Sequence, residues 1–118
     1  MAMRSIAHIE IPAGDPAAAG KFYSTLFGWE TESMPGMDYE GFRTGTVVGG
    51  FPRVGPMATA GEVVLYIESA GIDEDLRRIE AEGGHAIVPR SEIPGMGHFA
   101  IFTDPTGNKV GLFEARAG

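Results

Sequence analysis

The side chains best suited to chemistry sit close to the start of the chain. In Ser5–Ile11, SIAHIEI, the residues Ile6, His8 and Glu10 alternate with Ala7, Ile9 and Ile11, the period of two expected of a strand. The second face is apolar and belongs against a helix. The first carries an imidazole and a carboxylate and is expected to face a pocket. At i and i+2 their Cβ atoms stand ~7 Å apart on one strand face, which suits a base or an anion anchor working near neutral pH. A plainer reading leaves His8 on a cavity wall, hydrogen-bonded to Glu10 or Tyr66 and doing nothing more. His85 follows a Gly-Gly helix stop and is expected on the surface. His98 begins a strand after Gly95-Met96-Gly97 and is a candidate for a cavity rim. Arg43 and Arg90 suit either an anionic ligand or surface ion pairs. There is no cysteine, so disulfides, thiolate metal sites and cysteine nucleophiles are excluded.

The elements that must hold these residues follow a repeated order. Asp15-Pro16 supplies an N-cap and a first-turn proline, Ala18, Phe22 and Leu26 with Ala19 and Tyr23 form a helical stripe, and Gly28 closes it. Phe22 and Phe27 are expected in the core. Trp29–Met34, Tyr39–Thr44 and Thr46–Phe51 read as three strands of a meander. After the linker-like Pro52–Gly61, Glu62–Glu68 is a strand, and Asp73 caps a helix that runs through Leu76 and Ile79 to Gly83-Gly84. Ala86–Pro89 is a short strand and Ser91–Gly97 a loop. Phe99–Glu114 then forms a hairpin about Asp104-Pro105-Thr106-Gly107. Each half reads β-α-β-β-β, and this internal repeat decides the architecture.

One helix per unit covers one sheet face and leaves the other bare. The fold class is therefore α+β, one domain over residues 1–118, with module one at 1–55 and module two at 60–118. The two βαβββ modules are expected side by side, with a cavity between curved mixed sheets. Ile6, His8, Glu10, Val64, Tyr66, Gly111 and Phe113 would line it, with Tyr66, Phe113, Phe42 and Phe51 as stacking walls for a flat or apolar ligand.

The chain resembles the vicinal oxygen chelate superfamily, which includes glyoxalase I, bleomycin-resistance proteins and extradiol dioxygenases. The matching elements are His8 in the first strand, Phe22-Tyr23 and Leu26-Phe27-Gly28 at the helix end, Gly83-Gly84, and Asp104-Pro105-Thr106-Gly107-Asn108 before the last strand. Metal-dependent members take four ligands from the first and fourth strands of each module. Carried over by this resemblance, the first position is His8 and the second falls on Gly49 or Gly50. The third falls on Val64, with Glu62 two residues away on the same strand face, and the fourth on Gly111. A catalytic metal needs about three protein ligands, so the family's metal site reads as absent. No cofactor is expected, although a divalent metal stays open through a rebuilt site of His8, Glu10 and Glu62. The glycines at Gly49/Gly50 and Gly111 would widen the cavity where a metal once sat.

Nine basic residues against 16 acidic give a net charge of −7, which argues against nucleic-acid binding. No apolar run approaches a bilayer span, and Met1–Ile11 lacks a signal-peptide pattern. A cytoplasmic homodimer that binds a small-molecule ligand, with no membrane or nucleic-acid partner, is expected. The functional expectation is metal-independent binding of a small, partly apolar ligand. The alternative is a glyoxalase-like lyase, isomerase or dioxygenase-type enzyme that uses His8 and Glu10, metal-free or with a rebuilt metal. Three or more converging N/O groups would favour the enzyme; an apolar cavity with one histidine would favour binding.

Overall fold

In the computed structural model, which describes residues 2–117, the chain divides into two compact units. One is His8–Val64; the other joins Met1–Ala7 to Leu65–Gly118. The N-terminal residues therefore belong with the second half of the chain. Arg4 grips the Asp75 carboxylate with two hydrogen bonds of 2.5 and 2.9 Å, and the Ser5 carbonyl accepts from the Glu68 N–H at 3.0 Å.

The His8–Val64 unit holds most of β1 (Ile6–Glu10), then α1 (Pro16–Phe27), β2 (Glu30–Ser33), β3 (Tyr39–Arg43) and β4 (Val48–Pro52). Its strands lie in the order β2-β3-β4-β1. The β1–β4 pair is parallel and the other two pairs are antiparallel. As expected, the Asp15 side chain accepts from the Ala18 N–H, and Gly28 ends α1 at φ 73°, a left-handed turn that favours glycine. The buried face of α1 differs from the expected one. Pro16 and Gly20 are buried, Ala19 and Tyr23 pack on the core, and Phe22, Leu26 and Phe27 are exposed. Gly20 explains the rotation: a Cβ there would come within 2.9 Å of Glu40 Cγ, so the helix rests on its smallest residue, directly over β3. Beneath it Tyr23, Trp29, Phe42 and Phe51 form a continuous stack with ring centroids 4.7–5.1 Å apart at successive contacts from Tyr23 through Trp29 and Phe42. Phe42 and Phe51 are therefore core beneath the helix, not the ligand walls expected of them.

The second unit holds β5 (Val64–Glu68, from Leu65 on), α2 (Ile72–Ala81), β6 (His85–Ile93), β7 (Gly97–Thr103) and β8 (Lys109–Ala115), with strand order β5-β8-β7-β6. Its core is Ile72, Leu76, Ala100, Phe102 and Leu112. The hairpin forms as expected. Asp104 Oδ1 accepts the backbone N–H groups of Thr106, Gly107 and Asn108, which explains why its carboxyl is held below the usual range, chiefly by hydrogen bonds from Asn108.

Three local expectations change. The strand β5 begins at Val64, so Glu62 lies ahead of it, exposed, and not on its face. The helix α2 is capped at Gly71, which has no side chain to offer, and the Ile72 N–H is taken instead by the Glu114 carboxylate at 2.9 Å. The strand β6 continues past Pro89 to Ile93, because two register shifts around Val88 let this last strand of the order bend past the missing N–H. Among the described residues, no helix is long and apolar enough to cross a membrane.

Candidate functional site

The register of β1 on β4 pairs Ile9 with Gly49 and Glu10 with Gly50. Alternation then puts His8, Glu10 and Gly50 on the face away from α1, and Ile9 and Gly49 on the helix face. A Cβ on Gly49 would strike the Ile9 carbonyl and the Phe42 ring, so Gly50, not Gly49, shares the face of His8. In the β3–β4 hairpin Gly41 opposes Gly50 and Tyr39 opposes Pro52. Tyr39 therefore also points to the open face, one diagonal step from Gly50.

Tyr39 uses that step. Its ring lies over Gly50, where an added Cβ would land on the phenol's Oη, Cε1 and Cζ. Across this bare stretch of β4 the hydroxyl reaches β1 and hydrogen-bonds His8 Nε2 at 2.6 Å. The phenol and imidazole rings are inclined by only 20°, with centroids 6.4 Å apart. Glu10 Oε2 stands 3.7 Å from the same nitrogen, and the His8 and Glu10 side chains keep 30% and 23% of their surface accessible. Three polar groups thus converge at His8: an imidazole, a carboxylate and a phenol. The first two were legible from the strand pattern. Tyr39 was not, because its reach depends on strand order and on a glycine in the strand between.

The second unit repeats the device. Tyr66 pairs with Gly111 across the parallel β5–β8 ladder, and a Cβ on Gly111 would strike the Tyr66 ring. Tyr66 is buried, and Phe113, on the same face of β8, is half-buried opposite Phe99. Val64 is buried and Ile6 exposed. The expectation that Gly50 and Gly111 open space is overturned at both positions, since a tyrosine ring fills each.

The other candidates have structural partners. His85 is exposed, 3.9 Å from Glu80. His98 lies on the helix side of its sheet opposite Glu114, with Nδ1 3.3 Å from Arg90. Arg90 pairs with Glu114 at 3.0 Å, and Arg43 pairs with Glu30. The Arg90 guanidinium, together with the Ile72 N–H, holds the Glu114 carboxyl below its usual range. Arg90, His98, Glu114 and Arg116 border a cavity of about 170 Å³.

A family model for the glyoxalase/bleomycin resistance protein/dioxygenase superfamily matches residues 5–112. The chain belongs to this superfamily. It is 30% identical over 115 residues to CFP32 of Mycobacterium tuberculosis, a protein provisionally named a glyoxylase, covering 91% of this chain and 44% of that one. It is 26% identical to the anthracycline biosynthesis protein DnrV of Streptomyces peucetius, over 86% of this chain and 43% of the relative. The chain thus spans less than half the length of the curated relatives it matches. Among solved structures, a hypothetical protein of Bacillus halodurans superposes with a TM-score of 0.75 at 13% identity, covering 99% of this chain and 98% of that one. Methylmalonyl-CoA epimerase of Mycobacterium tuberculosis gives 0.68 at 14%, covering 95% and 88%. These likenesses establish the fold.

At Gly50 and Gly111, two of the positions that the resemblance assigns to metal ligands, there is no donor side chain, and a tyrosine ring lies over each. Val64 offers no donor, and Glu62 is off the strand. No group of three or more His, Asp or Glu side chains is placed to hold a metal among the described residues. The donor set at these four positions does not fit the superfamily's metal.

Proposed function

We propose that this superfamily member binds a small, partly apolar molecule without recruiting a metal to His8. The observation that supports this most is the 2.6 Å contact between the Tyr39 hydroxyl and His8 Nε2, made by a ring that occupies the space of a second ligand side chain. Oxygen from the chain's own phenol stands at the nitrogen a metal would need. The Tyr39 ring marks a seat for a flat apolar group over Gly50, and His8 and Glu10 supply polarity at its end, a combination that suits a flat ligand carrying one or two hydrogen-bonding groups. In this reading the protein is a cytoplasmic homodimer, and the exposed apolar stripe of α1 supports self-association.

Metal content tests it directly. Purified protein and His8→Ala are analysed for zinc, nickel, manganese and iron and titrated with each. The expected result is no stoichiometric metal and no stabilisation; stoichiometric metal that vanishes in His8→Ala overturns the proposal.

One observation favours a second reading. The Tyr39 phenol hydrogen-bonds His8 Nε2 at 2.6 Å and the Glu10 carboxylate stands 3.7 Å from the same nitrogen, a set of groups that could move a proton next to a carbonyl. Structural relatives named methylmalonyl-CoA epimerase lend this reading context. Solvent-deuterium incorporation into a panel of small 2-oxo acids and thioesters, lost in Glu10→Gln, would move the assignment from binding to catalysis.

A further inference from the structure

The Tyr39 phenol reaches His8 only because two independent features of the sequence agree. Tyr39 opens β3 directly after the turn at Pro35-Gly36, where Gly36 takes φ 75°, so its side chain projects at a strand end. Gly50, in the strand between Tyr39 and His8, has no side chain to obstruct it. Gly50 has an ordinary negative φ, so its backbone does not require glycine; the space requirement comes from the Tyr39 ring alone. The result is an aromatic hydroxyl seated on an imidazole, nearly parallel to it and partly open to solvent. That is how a bound phenol would present itself.

We propose that Tyr39 is the specificity-determining residue of the His8 site: a built-in phenol over Gly50, displaced by ligands of the same chemistry, small aromatic hydroxyl compounds. This rests on the metal-independent binding reading and narrows it to a ligand class. The chain's own residues set the selection. The bare backbone of Gly50 is the floor on which the Tyr39 ring lies, so the seat takes a flat ring. His8 and Glu10 at its end require a hydroxyl, since an apolar ring end there would leave Nε2 without the partner it has in the resting state.

The test uses p-cresol, the side chain of tyrosine as a free molecule, with toluene as the partner lacking the hydroxyl. Binding is measured by ligand-observed NMR and calorimetry on wild type, Tyr39→Ala and Tyr39→Ala/His8→Ala. Tyr39→Ala should bind p-cresol on the order of tenfold more tightly than wild type does, and more tightly than it binds toluene by a similar factor. Removing His8 should abolish the preference for p-cresol over toluene. Equal binding of the two probes to Tyr39→Ala, or no gain over wild type, overturns the proposal. Should Tyr39→Ala fail to fold, Tyr39→Phe retains the ring without the hydroxyl. The His8 Nε2 ¹⁵N shift must then move relative to wild type, and an unchanged shift refutes the phenol–imidazole contact. Metal titration reads the parent reading independently, so stoichiometric metal would refute metal-independence while the p-cresol comparison judges the ligand class by itself.

Discussion

Replacing Gly50 with alanine adds one methyl group, and the geometry says where it goes. The new Cβ lands on the Oη, Cε1 and Cζ atoms of Tyr39. Restoring an ordinary carbon contact of about 3.5 Å moves the ring by roughly an ångström or more, enough to break a hydrogen bond that depends on a 2.6 Å approach to His8. Losing that bond costs about 1 kcal/mol. Forcing the ring out of its seat adds about 1–3 kcal/mol, and because Gly50 has no positive φ the stiffer unfolded chain returns about 0.4–1 kcal/mol. The net expectation is a destabilisation of about 1–3 kcal/mol, several degrees in Tm for a chain of this size. Urea unfolding measures it, and the His8 ¹⁵N spectrum reports whether the phenol has left. The decisive control is the same substitution in a Tyr39→Ala background. There the methyl meets no ring, so the penalty should fall to near zero, giving a coupling of 1 kcal/mol or more between two residues on different strands. An equal penalty in both backgrounds, or a Gly50→Ala protein with wild-type stability and an unmoved His8 signal, would refute the reasoning.

Other expectations follow from the same structure. Gly111→Ala should destabilise by about 1–3 kcal/mol through the Tyr66 ring, again read by urea unfolding and again relieved in a Tyr66→Ala background. Arg4→Ala should lower stability at neutral pH by about 1–2 kcal/mol, less than a fully buried pair because the Arg4 side chain is 36% exposed. Hydrogen bonds from Arg4 hold the Asp75 carboxyl below its usual value, with Ser69 assisting against the opposing effect of burial. The stability from this depressed group is complete above the ordinary carboxylate value, about pH 4, and is lost as the pH falls through the folded value. The gap between wild type and Arg4→Ala should therefore shrink in acid melts below about pH 4. Glu114→Ala frees the Ile72 N–H and should cost about 1 kcal/mol, with exchange protection lost first at the N-terminus of α2. Phe22→Ser with Leu26→Ser, at exposed positions of α1, should change stability by no more than about 0.5 kcal/mol each while reducing any self-association seen by analytical ultracentrifugation.

The repeat of β-α-β-β-β was legible because it rests on local chemistry: Asp15-Pro16, Gly28 and the Asp104 turn each act within a few residues. What failed to read out depended on partners far along the chain. The face of α1 is set by the fit of Gly20 on Glu40, not by the largest apolar residues in the helix, so Phe22 and Leu26 misled. The start of α2 looked like an Asp73 cap because the carboxylate that serves it comes from Glu114, over forty positions away. Pro89 suggested the end of a strand that in fact bends past it. At the site, His8 and Glu10 announced themselves through alternation alone. The glycines were singled out as positions without a donor side chain, but a sequence shows what a glycine lacks and not what fills the space.

That filling changes how the missing side chains at Gly50 and Gly111 should be understood. Had Gly50 and Gly111 merely been donors trimmed away, the vacated volume would stay available, and returning a carboxylate would go far towards restoring the site. Here a tyrosine ring lies over each glycine, in both units and on corresponding final strands. In each unit the ring requires the glycine, because any Cβ would eject it, and the ring fills what the glycine leaves open. The two residue types therefore form one feature and must change together. In the first unit the feature also has a polar end, since the Tyr39 hydroxyl engages His8. In the second, Tyr66 is buried over a strand that presents no histidine. The two halves thus share a packing solution, while only the first sets an imidazole and a carboxylate at the end of its ring.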